Sequence, residues 1–526
     1  MGILRQSAIW QLAGVGTLAL AVLPLIAQQA PEIPSSSPAP GAGAQVRTGA
    51  SSGLDTEARL RNLLADHQFS ALAAQLRELP AADAQFYRGI LANRNNDPAA
   101  SVKLLEPLID QVAASGDKPK EKILRKALAE DYMRLGEWKQ AAAAYQALDS
   151  RLGDQLSSDE KDEIEQPLKL LPMAAANPPM TVEPCAPFIL NVRKDPLGLY
   201  DLPVFVDASP HSWMLDPTAP FNLIARSLAR EVGIKVGEET AVIKTLTGRP
   251  IRMHMAVVPR FTIGGRLTLR NMTVFVFDDQ DYFFPHTRYQ VQGVLGYAAL
   301  SALGSLTFTD NGTIEVQPVL QPTAEEAEKI AAAQAAAEEA ARPVVKAALS
   351  GFTPTANQDA EAKPAPPPPA PVVAGHSLAE ILVRKSGEEI ESQTGAPFYL
   401  DGDQIIVALG KAGDERYYGI DAGSQQTYLT SRYYFEHAND FEGREAQLFA
   451  VPGAETAPPQ PAYIADSVAL PVGQNTVHVH FLQVLTQPLN NAAADDLYGE
   501  LGIDALDQLS SYTFDYRTMR FSVKPE

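Results

Sequence analysis

The sequence predicts a multidomain α + β protein, with an N-terminal α-helical domain followed by two all-β lobes. Three observations carry this. Apolar residues recur at a helical period from about residue 55 to 150. From 183 to 318 the pattern changes to short β-rich runs such as LPVFVD, IRMHMAVV and TVFVFD, set between Gly, Pro and Asp turns, and it returns from about 394. The two β-rich regions can also be laid on one another.

Length and composition bound the reading first. A chain of 526 residues fits about three domains at ~150 residues each. Hydrophobic residues make up 45% and charged residues 20%, enough apolar material to bury cores. Asp and Glu (63) outnumber Lys and Arg (43), giving a net charge of −20, which argues against nucleic acid as a partner because phosphates need a cationic face. The single cysteine, Cys185, excludes an internal disulfide framework and a CxxC-type metal or redox site.

Arg5 precedes an apolar run from Ala8 to Ala27 that is broken by Pro24 and ends on a small residue. Residues 1–27 therefore read as a secretory signal, with an uncleaved N-terminal anchor as the other reading and the only expected membrane contact. The working part is expected to be exported, to the periplasm or outside the cell. Residues 28–54 are rich in Pro, Ser, Gly and Ala and read as a flexible spacer. They contain Gly49-Ala-Ser51-Ser-Gly53, which matches a nucleophile elbow only in letters, since a linker and no strand precedes it.

In the helical region, 55–150, the spacing of Tyr132, Gly136, Ala141 and Tyr145 lets two antiparallel helices pack closely about a turn at Gly136. This resembles one tetratricopeptide (TPR) repeat. Asn96-Asp97, Ser101 and Leu105, then Asp66-His67, Ala71 and Gln75, fall at similar offsets. The resemblance implies a short solenoid with a concave groove for a peptide or protein partner; a plain helical bundle is the alternative.

The internal repeat is the strongest signal. Ala186-Pro187-Phe188 matches Ala396-Pro397-Phe398, Trp213-Met-Leu-Asp216 matches Tyr418-Gly-Ile-Asp421, and QGVLGYAALSALGSLTF matches YGELGIDALDQLSSYTF. Asp216 lies 77 residues before Gly293, and Asp421 lies 78 before Gly499. The lobes are placed at 183–320 and 394–526, joined by an Ala/Glu- and Pro-rich linker at 321–375.

Each unit has an apolar strand ending in Asp at a tight turn, then a strand and short helix (225–232; 431–437), a second hairpin, and a late apolar-apolar-Gly run with a closing helix. This resembles the retropepsin-like (acid protease) aspartic peptidase domain. The resemblance implies catalytic Asp216 and Asp421, with Leu295-Gly296 and Leu501-Gly502 crossing behind them. One such unit supplies one aspartate, and the chemistry needs two. Carboxylates a few Å apart share a proton, so one can take a proton from water while the other donates to the scissile carbonyl.

Two departures bear on activity. Asp421-Ala422-Gly423-Ser424 has alanine where the family carries a hydroxyl. Asp216-Pro217-Thr218-Ala219 has proline at that position and threonine in place of the glycine, so that either Asp216 is misplaced or the turn is rebuilt with Thr218 supplying the hydroxyl. The turn-supporting residues are Gly423, Ser424, Thr218 and Ala219. Thr247-Gly248 is a flap tip able to close over extended peptide, and the second flap carries four prolines. The sequence therefore leaves open an aspartic endopeptidase with an interlobe dyad, a degenerate peptide- or protein-binding scaffold in the cell envelope, and pairing of second lobes between chains. No cofactor and no metal are expected; His478 and His480 share a strand face without a third ligand nearby in sequence.

Overall fold

The computed structural model describes residues 52–524 apart from 218, 245–249, 286, 334–372, 383–394, 403, 412, 452–458 and 490–494. The segment expected to be a signal, nearly all of the expected spacer and most of the linker lie outside the described residues.

Helices α1 (Ser52–Ala65), α2 (Phe69–Arg77), α3 (Ala81–Arg94), α4 (Pro98–Leu105), α5 (Ile109–Ser115), α6 (Lys118–Arg134), α7 (Trp138–Leu152) and α8 (Ser158–Ala174) form the N-terminal part. Three turns have one construction. His67, Asn96 and Gly136 each take a left-handed φ of 53°, 54° and 71°. In each, the next residue's N–H reaches back to a carbonyl five residues earlier: Gln68 to Leu63, Asp97 to Ala92 and Glu137 to Tyr132. That backbone hydrogen bond satisfies a carbonyl at the end of the first helix and turns the chain into the second. Helix α8 extends this part past residue 150. It opens on a capping box of Ser157 and Glu160, and it contains Pro167 and Pro172, which sequence rules treat as helix breakers.

Thirteen strands of the described residues form one sheet that runs through both β lobes. The lobes join where the Ser305–Thr309 strand pairs antiparallel with Ser511–Asp515, in the register Leu306 to Phe514, Thr307 to Thr513 and Phe308 to Tyr512. The register is symmetric about its middle pair, whose two hydroxyls are 2.8 Å apart. Phe308 and Tyr512 stack with ring centroids 4.7 Å apart. This antiparallel register places Leu306 opposite Phe514 and Phe308 opposite Tyr512, one on either side of the threonine pair. A single hydrophobic core continues from α7 and α8 through both lobes.

The helical part is docked on both lobes: in the first, Lys169 of α8 donates to Val242 O and the Tyr297 hydroxyl donates to Asn96, and a further contact is made with the second. The face built by α3, α6 and α8 receives the hairpin between the Ala396–Asp401 and Gln404–Leu409 strands. Arg94 holds Asp401 at 2.9 Å and Glu130 at 3.3 Å, and Arg134 donates to the carbonyls of Gly402 and Asn93. Phe69 is buried against Tyr399 and Tyr417. After the linker, His376–Ser377 pairs with Thr181–Val182 beside the first lobe before the chain enters the second.

Candidate active site

Each aspartate sits where a strand ends and a second strand crosses behind it. Ser209–Leu215 pairs in parallel with Gly293–Leu295, matching Leu215 to Leu295. Arg416–Ile420 pairs in parallel with Gly499–Leu501, matching Ile420 to Leu501. The strand ends are then tied by the same bonds: Asp216 N–H donates to Leu295 O and Asp421 N–H to Leu501 O, while Tyr297 N–H donates to Ala219 O and Ile503 N–H to Ser424 O. Leu295 and Leu501 are buried and anchor the crossing strands.

The glycines after those leucines are required by close approach of backbone. A Cβ on Gly296 would lie 2.5 Å from the carbonyl oxygens of both Ala219 and Phe221, and one on Gly502 would meet Gln426 and Ser424 backbone at 2.8–3.0 Å. Their amides are capped by side chains, Gly296 N–H by Asn222 Oδ1 at 3.0 Å and Gly502 N–H by Thr427 Oγ1 at 2.8 Å. Gly296→Ala is therefore expected to displace the Asp216 turn, costing about 1–3 kcal/mol as overpacking does. Thermal unfolding checks this, and an unchanged melting temperature would show that the Ala219–Phe221 backbone yields freely.

The two aspartates are brought together. A Cβ placed on Gly423 would stand 3.2 Å from Asp421 Oδ1 and 3.5 Å from Asp216 Oδ1, so both carboxylates converge on one point. Gly423 N–H donates to Asp421 Oδ1 at 2.9 Å, and Ala219 N–H donates to Asp216 Oδ1 at 3.2 Å. Ser424 is buried and its hydroxyl donates to Gln426 O within its own turn. Pro217 and Ala422, which stand where the family carries hydroxyls, line one small apolar pocket with Leu215, Ile420, Leu306 and Tyr512. Packing between the lobes occupies the place of a hydroxyl clamp. Thr218 and the flap residues Thr247 and Gly248 lie outside the described residues.

One group at the site was not singled out from sequence. Glu500 fills the first slot of the second apolar-apolar-Gly run, accepts from Tyr428 and interacts with Asp421. Burial, then the Glu500 charge, then the Asp216 charge push Asp421 well above the usual carboxylate range, against the donation from Gly423. Burial raises Glu500 as well, against donation from Tyr428. The departure of Glu500 from an apolar slot was the available signal. Both groups are only partly exposed, so a proton held between them is shielded from solvent.

Residues 202–299 match the family model described as aspartyl protease. The first β lobe thus contains a region similar to the aspartyl protease family. Among solved structures, the chain is similar to a retropepsin-like aspartic protease from Rickettsia conorii, 18% identical with a TM-score of 0.19, over 25% of this chain and 98% of that one. It is also similar to Basic 7S globulin from soybean, 10% identical with a TM-score of 0.34, over 64% of this chain and 94% of that one. No curated protein matches the chain.

Proposed function

We propose that the protein is an exported aspartic endopeptidase of retropepsin-like type, built from two related lobes that each supply one aspartate of an Asp216–Asp421 dyad. The observation that carries this reading is the convergence of both carboxylates on the point above Gly423. Two carboxyl groups so placed cannot both ionise at low cost, and their apparent pKa values belong to the pair. Asp421, whose carboxyl is pushed well above the usual range by burial and by the charges of Glu500 and Asp216, holds the proton. Asp216 is the base that takes a proton from a water between them, and Asp421 donates to the carbonyl oxygen of the scissile peptide. The substrate is polypeptide in extended form, as the flap hairpins of the sequence suggest. Export rests on the apolar run Ala8–Ala27; among the described residues no helix is long and apolar enough to cross a membrane.

The Asp216-Pro217-Thr218 turn favours one other reading, a degenerate cleft that binds peptide without cutting it. Incubating the purified chain with denatured protein between about pH 3 and pH 7, alongside the two single Asp→Asn variants, separates them. Peptide binding without cleavage at any pH would favour the scaffold and sink the endopeptidase.

A further inference from the structure

The two lobes differ beside their aspartates at three positions that touch one another. In the first lobe, Val294 is matched to Met214 on one side and Leu223 on the other. In the second lobe, Glu500 is matched to Gly419 and Tyr428 in the corresponding registers. An apolar trio has become a carboxylate, a phenol and a residue without a side chain, and the three changes fit each other. Tyr428 donates its hydroxyl to Glu500 Oε2 at 2.6 Å. A Cβ on Gly419 would stand 3.4 Å from Glu500 Cγ and 3.2 Å from Gln404 Nε2, so the Glu500 stem lies directly beside the bare glycine. Gly419 lies two residues before Asp421, which follows directly on the strand end, so the side chain beside Gly419 is close to Asp421.

A carboxylate in such a slot costs free energy unless it is hydrogen-bonded. Here both neighbours of the Glu500 carboxyl are hydrogen-bonding groups, and one of them is the aspartate at the point of convergence. We propose that Glu500 is a positioning residue that shares a proton with Asp421 of the dyad, with Tyr428 orienting it. This rests on the Asp216–Asp421 dyad proposed above. The charged or titratable groups facing the pair are Asp216 from the first lobe and Tyr428 from the neighbouring strand, with Asp495 acting on Tyr428. The Glu500 charge opposes ionisation of Asp421, and its oxygen accepts the Asp421 hydroxyl. Only a proton moves along that hydrogen bond.

The test is the pH dependence of kcat/KM for the full chain and for Glu500→Gln and Tyr428→Phe. Glu500→Gln keeps the shape, removes the charge and presents a donor, so the alkaline limb is expected to move to lower pH by roughly one unit or more. Tyr428→Phe removes the donor that stabilises ionised Glu500, so the limb is expected to move to higher pH. Opposite displacements are not what a purely structural role would give. Infrared titration of the protonated carboxyl band in the same proteins reads the shared proton whether or not peptide is cut. If the wild-type chain cleaves nothing, the endopeptidase reading fails, and a band that titrates to lower pH in Glu500→Gln would still support proton sharing. An unmoved limb with an unmoved band would overturn the proposal. A changed preference for basic substrate residues with an unmoved limb would overturn it too, assigning Glu500 to substrate contact. Should Glu500→Gln not fold, the Tyr428→Phe displacement and the band in Asp421→Asn, expected to vanish, decide.

Discussion

Replacing either Asp216 or Asp421 with asparagine is expected to lower kcat by roughly 10²–10⁴-fold, the usual contribution of a positioned acid or base. Both variants should fall, because the two carboxyl groups meet at one point and neither does the other's work. In Asp421→Asn the introduced amide oxygen can still accept from Gly423 N–H, so the turn keeps its hydrogen bond. The substitution also removes one ionisable group from a cluster in which Glu500 and Asp216 both oppose its ionisation. The Asp421→Asn protein should therefore melt at or above the temperature of the parent while losing cleavage. That combination separates chemistry from folding, and a loss of both together would leave the substitution acting on the fold. Cleavage that survives Asp216→Asn would exclude a dyad within one chain and favour second lobes paired between chains.

The spacing of the sequence reaches the site further than its local motifs do. The near-equal intervals from Asp216 to Gly293 and from Asp421 to Gly499 express the parallel pairing of each aspartate strand with the strand that crosses behind it. The turn letters alone point the other way, since Pro217 and Ala422 lack hydroxyls; only their placement in an interlobe apolar pocket shows what they pack against. Glu500 is hard to read because a template of two apolar residues before glycine treats its slot as core. Asn222 and Thr427, which cap the amides of Gly296 and Gly502, are two different side chains serving one backbone requirement, so no shared letter marks them. Helix α8 is hidden by Pro167 and Pro172. Its apolar residues Ile164, Leu170 and Leu171 are nonetheless buried in the core, and tertiary packing outweighs the local preference.

The docking of helices on the second lobe was least legible, because it depends on charges far apart in sequence. Arg94→Ala is expected to destabilise the chain by about 3–5 kcal/mol, the cost of removing one partner from a buried ion pair. Its guanidinium lies between Asp401 and Glu130, with its side chain only 10% exposed and that of Glu130 only 3%. The Arg94 charge, opposing burial, holds Asp401 well below the usual carboxylate range, with His67 and Lys126 adding to it. Without the arginine, Asp401, 25% exposed, would keep only His67 and the Lys126 charge, and Glu130 only Arg134 at 3.9 Å, in a site that Glu163 also faces. The exposed pair of Arg61 and Asp117 is the control: Arg61 is 54% exposed, so Arg61→Ala should cost no more than about 1 kcal/mol. Unfolding of the Arg94 variant should begin in the helical part, seen as earlier loss of helical signal and faster proteolysis between α2 and α3. If the two arginine variants melted alike, the contact between helices and hairpin would rest on Phe69 and its aromatic neighbours rather than on the charges.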